Sequence, residues 1–162
     1  AVAVLAEADG RPARELACTL SCAVVRPGGA AAAQVGDGLV VVRVDGALLA
    51  LTAPERGDYA NETVFLTSPG AVEAAVAATV RVRGAVDGAA LLTDGLLRLA
   101  LRLVDGTPHP SFFGPLFDFA AAGPDPMDDA LAAFLASPRV RDRTDDDVTL
   151  VVAARVAPPP GP

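Results

Sequence analysis

The chain is 162 residues long, which fits one domain. Hydrophobic residues make up 52% and charged residues 20%, enough apolar matter for a core and too much for whole-chain disorder. The net charge of -7, with arginine as the only strong base, disfavours a nucleic-acid binder and docking on anionic membranes, and it is compatible with holding metal cations through carboxylates.

In chain order, Ala1–Ala8 reads as the end of a helix, and Asp9-Gly10-Arg11-Pro12 as the turn that stops it. Leu16–Val25 (LACTLSCAVV) is β-like. Its two cysteines, Cys18 and Cys22, are four residues apart, a span of ~13 Å in a strand. A disulfide needs Cα atoms within ~7 Å, so free, buried thiols are expected. After Arg26-Pro27-Gly28-Gly29, two strands (Ala30–Val35 and Leu39–Val44) read as a meander around Gly36-Asp37-Gly38. Asp45-Gly46 is a hairpin signal, and Ala47–Thr52 returns as the next strand. No apolar run is long enough for a membrane helix; the nearest, Val35–Leu51, is broken by Asp37, Arg43 and Asp45.

Further along, Thr63–Thr67 is a short β-like piece, and Ala71–Val82 mixes helix-favouring alanines with strand-like alternation at its end. Ala89–Thr93 reads as a buried strand, and Leu96–Leu103 has leucines at helical spacing. A segment rich in Pro, Gly and Phe runs from Asp105 to Phe119 and is expected to be irregular, with Phe112, Phe113, Phe117 and Phe119 as packing anchors. His109, the only histidine, is read as an exposed loop residue. Asp128–Ala136 is a helix ended by Ser137-Pro138, and Val148–Val156 is a last strand. Short strands joined by tight turns, with helices packed on them, make an α+β pattern.

Three acidic turns could carry chemistry: Gly36-Asp37-Gly38, Thr93-Asp94-Gly95 and Thr144-Asp145-Asp146-Asp147. Each puts an Asp where an apolar strand begins or ends, so rigid strands could aim the carboxylates into one cleft. Converging carboxylates raise at least one pKa unless a cation compensates, and hard ions such as Mg²⁺, Mn²⁺ and Ca²⁺ prefer oxygen ligands. Against this, an Asp-Gly pair is more often a turn than a ligand. Asp45-Gly46, Asp87-Gly88 and Asp105-Gly106 are read as turns only.

GDG at 36–38, NET at 61–63, LLTDGLLRLAL at 91–101, SFFGPLF at 111–117 and RTDDDVTLVVA at 143–153 follow one another in this order. Together they resemble the C-terminal portion of a bacterial metal-dependent protein phosphatase of type 2C, the PPM family. TDG and DDDVTL are the specific blocks, and CTLSCAVV resembles the strand before GDG. The resemblance runs from Leu16 to Val156. It implies an α+β fold of two antiparallel β-sheets stacked face to face and flanked by helices. It also implies a binuclear Mn²⁺ or Mg²⁺ site with a weaker third ion. Asp94 would be shared in the metal cluster, Asp146 would bind one core ion, and Asp37 would help hold the third. Water activated by the ions would then hydrolyse phosphoserine or phosphothreonine on a phosphorylated protein, with no cysteine nucleophile.

The family's opening strands carry an acidic residue, a phosphate-contacting arginine and an Asp-Gly metal motif. None can be placed in this sequence, which starts at Ala1 without Met and shows no signal peptide. The resemblance therefore implies that 1–156 is a partial phosphatase-like domain lacking its N-terminal strands, followed by a Pro-rich tail at 157–162. It implies a cytoplasmic location, and an isolated chain that is inactive and prone to self-association through uncovered sheet edges. Two rivals remain: an inactive phosphatase-like regulatory or binding module, and an unrelated acidic cation-binding domain. Asn61, Glu62 and Thr63 are read as a structural turn.

Overall fold

In a computed structural model the described residues are 2–52, 64–102, 104–123 and 125–156. Two antiparallel sheets carry the fold. The first holds β1 (Leu20–Arg26), β2 (Gly29–Val35) and β5 (Val80–Arg83), in the order β1-β2-β5. The second holds β3 (Leu39–Val44), β4 (Ala47–Ala50), β6 (Val86–Leu92) and β9 (Leu150–Ala154), in the order β4-β3-β6-β9. A two-residue ladder joins β7 (Leu101–Arg102) to β8 (Thr107–Pro108).

The continuous apolar run of β3 follows from its place in the middle of the molecule. Val40, Val42 and Val44 face the first sheet and pack with Ala30 and Ala32 of β2, Leu51, Val86 and Ala89. Leu39 and Val41 face the other way, towards helices. A strand buried on both faces needs no polar alternation. The helices are α1 (Val2–Ala8), α2 (Ala71–Ala77), α3 (Leu97–Ala100), α4 (Pro110–Ala122), α5 (Met127–Ala136) and α6 (Pro138–Arg141). Helix α4 packs on the outer face of the second sheet, and α2 rests against β2. The α+β sandwich flanked by helices is therefore present. Among the described residues, no helix is long and apolar enough to cross a membrane.

Several local expectations are corrected. β2 and β3 are not neighbours in a meander, because Gly36-Asp37-Gly38 carries the chain from one sheet to the other. Gly36 has φ 101°, a left-handed backbone that favours glycine. The segment expected to be irregular is mostly helix α4. Its buried residues Phe113, Leu116, Phe117 and Ala120 fall at i, i+3, i+4 and i+7, one face of a helix. Pro110 sits in the first turn, where a missing N–H costs nothing. His109 precedes that turn and is half-buried rather than exposed, its amide donating to the Ala100 carbonyl at 2.8 Å.

Asp87-Gly88 is not a turn but lies inside β6. Arg43 Nε donates to Asp87 Oδ1 at 2.7 Å, and Nη1 donates to Asp118 Oδ1 at 3.0 Å on α4. The same guanidinium lies 5.4 Å from the Phe117 ring centre, so one arginine ties helix to sheet. Gly88 makes room for that ring, since a Cβ there would stand 2.7 Å from it. Cys18 and Cys22 are free, as expected, but exposed rather than buried. Cys18 precedes β1, and β1 is an edge strand whose outward residues Leu20 and Val24 are also exposed.

Segment 71–82 divides between α2 and β5, and Val64–Thr67 is not a strand. Leu97–Ala100 is a single helical turn that runs into β7. The NET block at 61–63 and the tail at 157–162 lie outside the described residues.

Candidate metal centre

Strand register brings the three acidic turns together. Leu39 of β3 pairs with Leu92 of β6, and Leu92 pairs with Leu150 of β9. These three residues form one row at one end of the second sheet. Asp37 lies two residues before that row, Asp94 two residues after it, and Asp146 four residues before it. All three loops therefore leave the sheet at the same end, although the first Asp and the last lie 109 positions apart in sequence.

Each loop is held from behind. Gln34 Nε2 donates to the Gly36 carbonyl at 2.8 Å, fixing the turn that presents Asp37. Its Oε1 accepts from the Thr52 hydroxyl at 2.7 Å, and that hydroxyl accepts the Val40 amide at 2.9 Å. Gly38 lets the loop lie against β6, because a Cβ there would stand 3.0 Å from the Leu92 carbonyl and 2.7 Å from Ser21 Oγ. Gln34 was missed by sequence reasoning; its signal is a lone amide side chain in the apolar run AAAAQV.

Asp94 opens a 3-10 turn directly after β6. The Gly95 amide donates to Asp94 Oδ1 at 3.0 Å. A Cβ on Gly95 would stand 2.5 Å from the Asp147 carbonyl, so only glycine lets the two acidic loops touch. Asp146 lies in the loop before β9. Its Oδ1 accepts the Asp147 amide at 2.7 Å, and its own amide donates to Thr144 Oγ1 at 3.2 Å.

The charges feel one another. Burial is the first cause that lifts the Asp94 carboxyl above the ordinary aspartate range, and the negative charges of Asp37 and Asp146 follow; the Gly95 amide opposes them. Asp37 and Asp94 line one cleft of about 250 Å³ together with Thr19, Ser21, Thr93 and Thr149. Asp146 is outside that lining but close enough to act on Asp94. No residue of helix α4 lines the cleft.

The donors are hard carboxylate oxygens, the kind that Mg²⁺ and Mn²⁺ take. Their mutual repulsion is what a divalent cation relieves. Among the described residues, however, no three acidic, histidine or cysteine side chains stand close enough to enclose an ion. The chemistry of the donors fits such an ion.

Residues 2–136 match the family model for protein phosphatase 2C, so the chain belongs to the protein phosphatase 2C family. It is 41% identical over 152 residues to serine/threonine-protein phosphatase 3 of Escherichia coli (strain K12). That alignment covers 91% of this chain and 59% of the relative, so the chain spans about three-fifths of the relative's length. No solved structure gives a significant match.

Proposed function

We propose that the chain serves a metal-dependent protein serine/threonine phosphatase that hydrolyses phosphoserine and phosphothreonine on phosphorylated proteins in the cytoplasm. The observation that carries this is the gathering of Asp37, Asp94 and Asp146 at one end of the second sheet, where burial first and then the charges of the other two raise the Asp94 carboxyl. Membership of the protein phosphatase 2C family supports it independently.

In this reading Asp94 is a ligand central to a pair of Mn²⁺ or Mg²⁺ ions, Asp146 a ligand to one of them, and Asp37 a ligand to a weaker third. When bound, the ions neutralise phosphoryl charge and lower the pKa of water. The chain's own part is to hold the carboxylates. Gln34 and Thr52 fix the Asp37 turn, and Gly95 keeps the Asp94 and Asp146 loops in touch. Thr19, Ser21, Thr93 and Thr149 line the same cleft, giving the phosphoryl oxygens polar neighbours.

The domain in this reading covers 1–156, with 157–162 as a tail. Because no three described side chains by themselves enclose an ion, the isolated chain is expected to be inactive. The test is hydrolysis of a phosphothreonine peptide with excess Mn²⁺, alongside Asp94→Ala. Turnover that Asp94→Ala abolishes supports the assignment. Turnover that survives Asp94→Ala shows that the site is elsewhere. Mn²⁺ binding that depends on Asp94, without any turnover even in the longest form of the protein, favours a regulatory module.

A further inference from the structure

A second concavity lies away from the acidic loops, between α4, α5 and α6. It measures about 320 Å³, and its walls include Phe112, Phe119, Leu131 and Phe134. Arg139 and Arg143 also line it, and both are exposed, which places their guanidinium groups at its rim. Among the described residues the ion pairs involve Arg43 and Arg102, and neither rim arginine has an acidic partner. Arg143 Nη1 instead donates to the Arg139 carbonyl at 3.1 Å, which keeps the two residues side by side.

We infer that this pocket binds a small amphipathic carboxylate, an aliphatic chain ending in a carboxyl group. The chain would displace water from the phenylalanine walls, and the carboxylate would bridge the two guanidinium groups. The chemistry excludes simpler occupants. A bare inorganic anion gains nothing from the apolar walls, and a neutral hydrocarbon gains nothing from the arginines. The volume lies at the small end of the range for ligand pockets, about 300–1,000 Å³, which selects a short chain. None of Asp37, Asp94 and Asp146 lines this pocket, although Arg143 begins the loop that carries Asp146.

The test is calorimetric titration of the chain with decanoate below its micellar concentration. One-site binding is expected, with decanol and decyltrimethylammonium much weaker. Arg139→Glu together with Arg143→Glu should weaken decanoate by at least about tenfold, the effect of losing charge-assisted hydrogen bonds. Both positions are exposed, and so is the Arg143 to Arg139 hydrogen bond that is lost, so the thermal melt should move little. Ala130→Trp, which fills the pocket from an exposed position on its wall, should block binding without touching the arginines. Equal binding of decanol and decanoate would overturn the inference. So would unchanged affinity in the double variant, or binding to phosphatidylglycerol vesicles with none to free decanoate.

Discussion

Thr93 and Thr149 hold each other by two hydrogen bonds. The Thr149 amide donates to the Thr93 hydroxyl at 2.9 Å, and the Thr93 amide donates to the Thr149 carbonyl at 3.2 Å. The pair continues the β6–β9 ladder past its last paired residues, Leu92 and Leu150. It is the final clamp before the chain diverges into the loops of Asp94 and Asp146. Thr93→Val keeps the shape but removes the acceptor for the Thr149 amide. A lost hydrogen bond of this kind costs about 1 kcal/mol of stability. Mn²⁺ affinity should fall at least tenfold, because the two carboxylates lose their common anchor. Calorimetric titration beside a urea melt checks this; a stability loss without an affinity loss would make the clamp purely structural.

Gly95→Ala tests the contact between the same loops more severely. The added Cβ would meet the Asp147 carbonyl at 2.5 Å, a backbone atom that cannot simply rotate away. The loop carrying Asp146 must move. Overpacking of this sort costs about 1–3 kcal/mol. Metal binding should be lost while the fold survives, and circular dichroism with Mn²⁺ titration separates the two. Gly88→Ala is the control. Its Cβ would press on the Phe117 ring, far along β6 from Asp94, so it should lower the melting temperature without altering metal affinity.

The three acidic turns that lie at one end of the second sheet were legible in the sequence as turns, and the reason is local. GDG, TDG and the DDD run each join a small or acidic turn to an apolar strand, and that pattern survives folding. The joining of the loops across the sheet was suggested by resemblance, but its cause is register: Leu39, Leu92 and Leu150 stand in one row. Glycine turns do not tell whether the next strand stays in the same sheet, which is why β2 and β3 read as a meander. Helix α4 was hidden by Pro110, Gly114 and Pro115, which look like loop chemistry. Burial of Phe113 and Phe117 against the sheet outweighs those local preferences, including the cost of Pro115 inside the helix, about 3 kcal/mol. The role of Gln34 was out of reach, because its partner Thr52 is 18 residues away.

Asp94→Asn should stabilise the metal-free chain. The folded-state pKa of Asp94 is raised, chiefly by burial and then by Asp37 and Asp146. The sign follows from linkage. Relative to the unfolded chain, the protonated carboxyl is favoured, so this contribution is fully present below the ordinary aspartate pKa of about 3.9 and is lost as pH rises through the raised value. At neutral pH the ionised group is a liability that Asn removes. Thermal melts in EDTA should show Asp94→Asn above wild type at neutral pH, with the gap closing in acid. Adding Mn²⁺ should raise the wild-type melting temperature and leave the variant unmoved. A wild-type chain as stable as the variant at neutral pH would show that neither burial nor the neighbouring carboxylates penalise the Asp94 charge.

The sheet edges give the last prediction. β1 ends the first sheet and β9 ends the second. Along the outward face of β1, Leu20 is 45% and Val24 67% exposed, with Cys22 exposed between them, and Val151 of β9 is 56% exposed. An edge strand offers unpaired backbone groups, and an apolar face beside it adds a driving force for pairing with another strand. The 162-residue chain should therefore self-associate as its concentration rises. Light scattering across a dilution series should show a mass above the monomer that falls on dilution. Val24→Lys and Val151→Lys place charges on the two edges, a device that blocks strand addition. Together they should return the chain to monomer without lowering its melting temperature. A wild-type chain that remains monomeric at every concentration would mean that these edges are covered in solution.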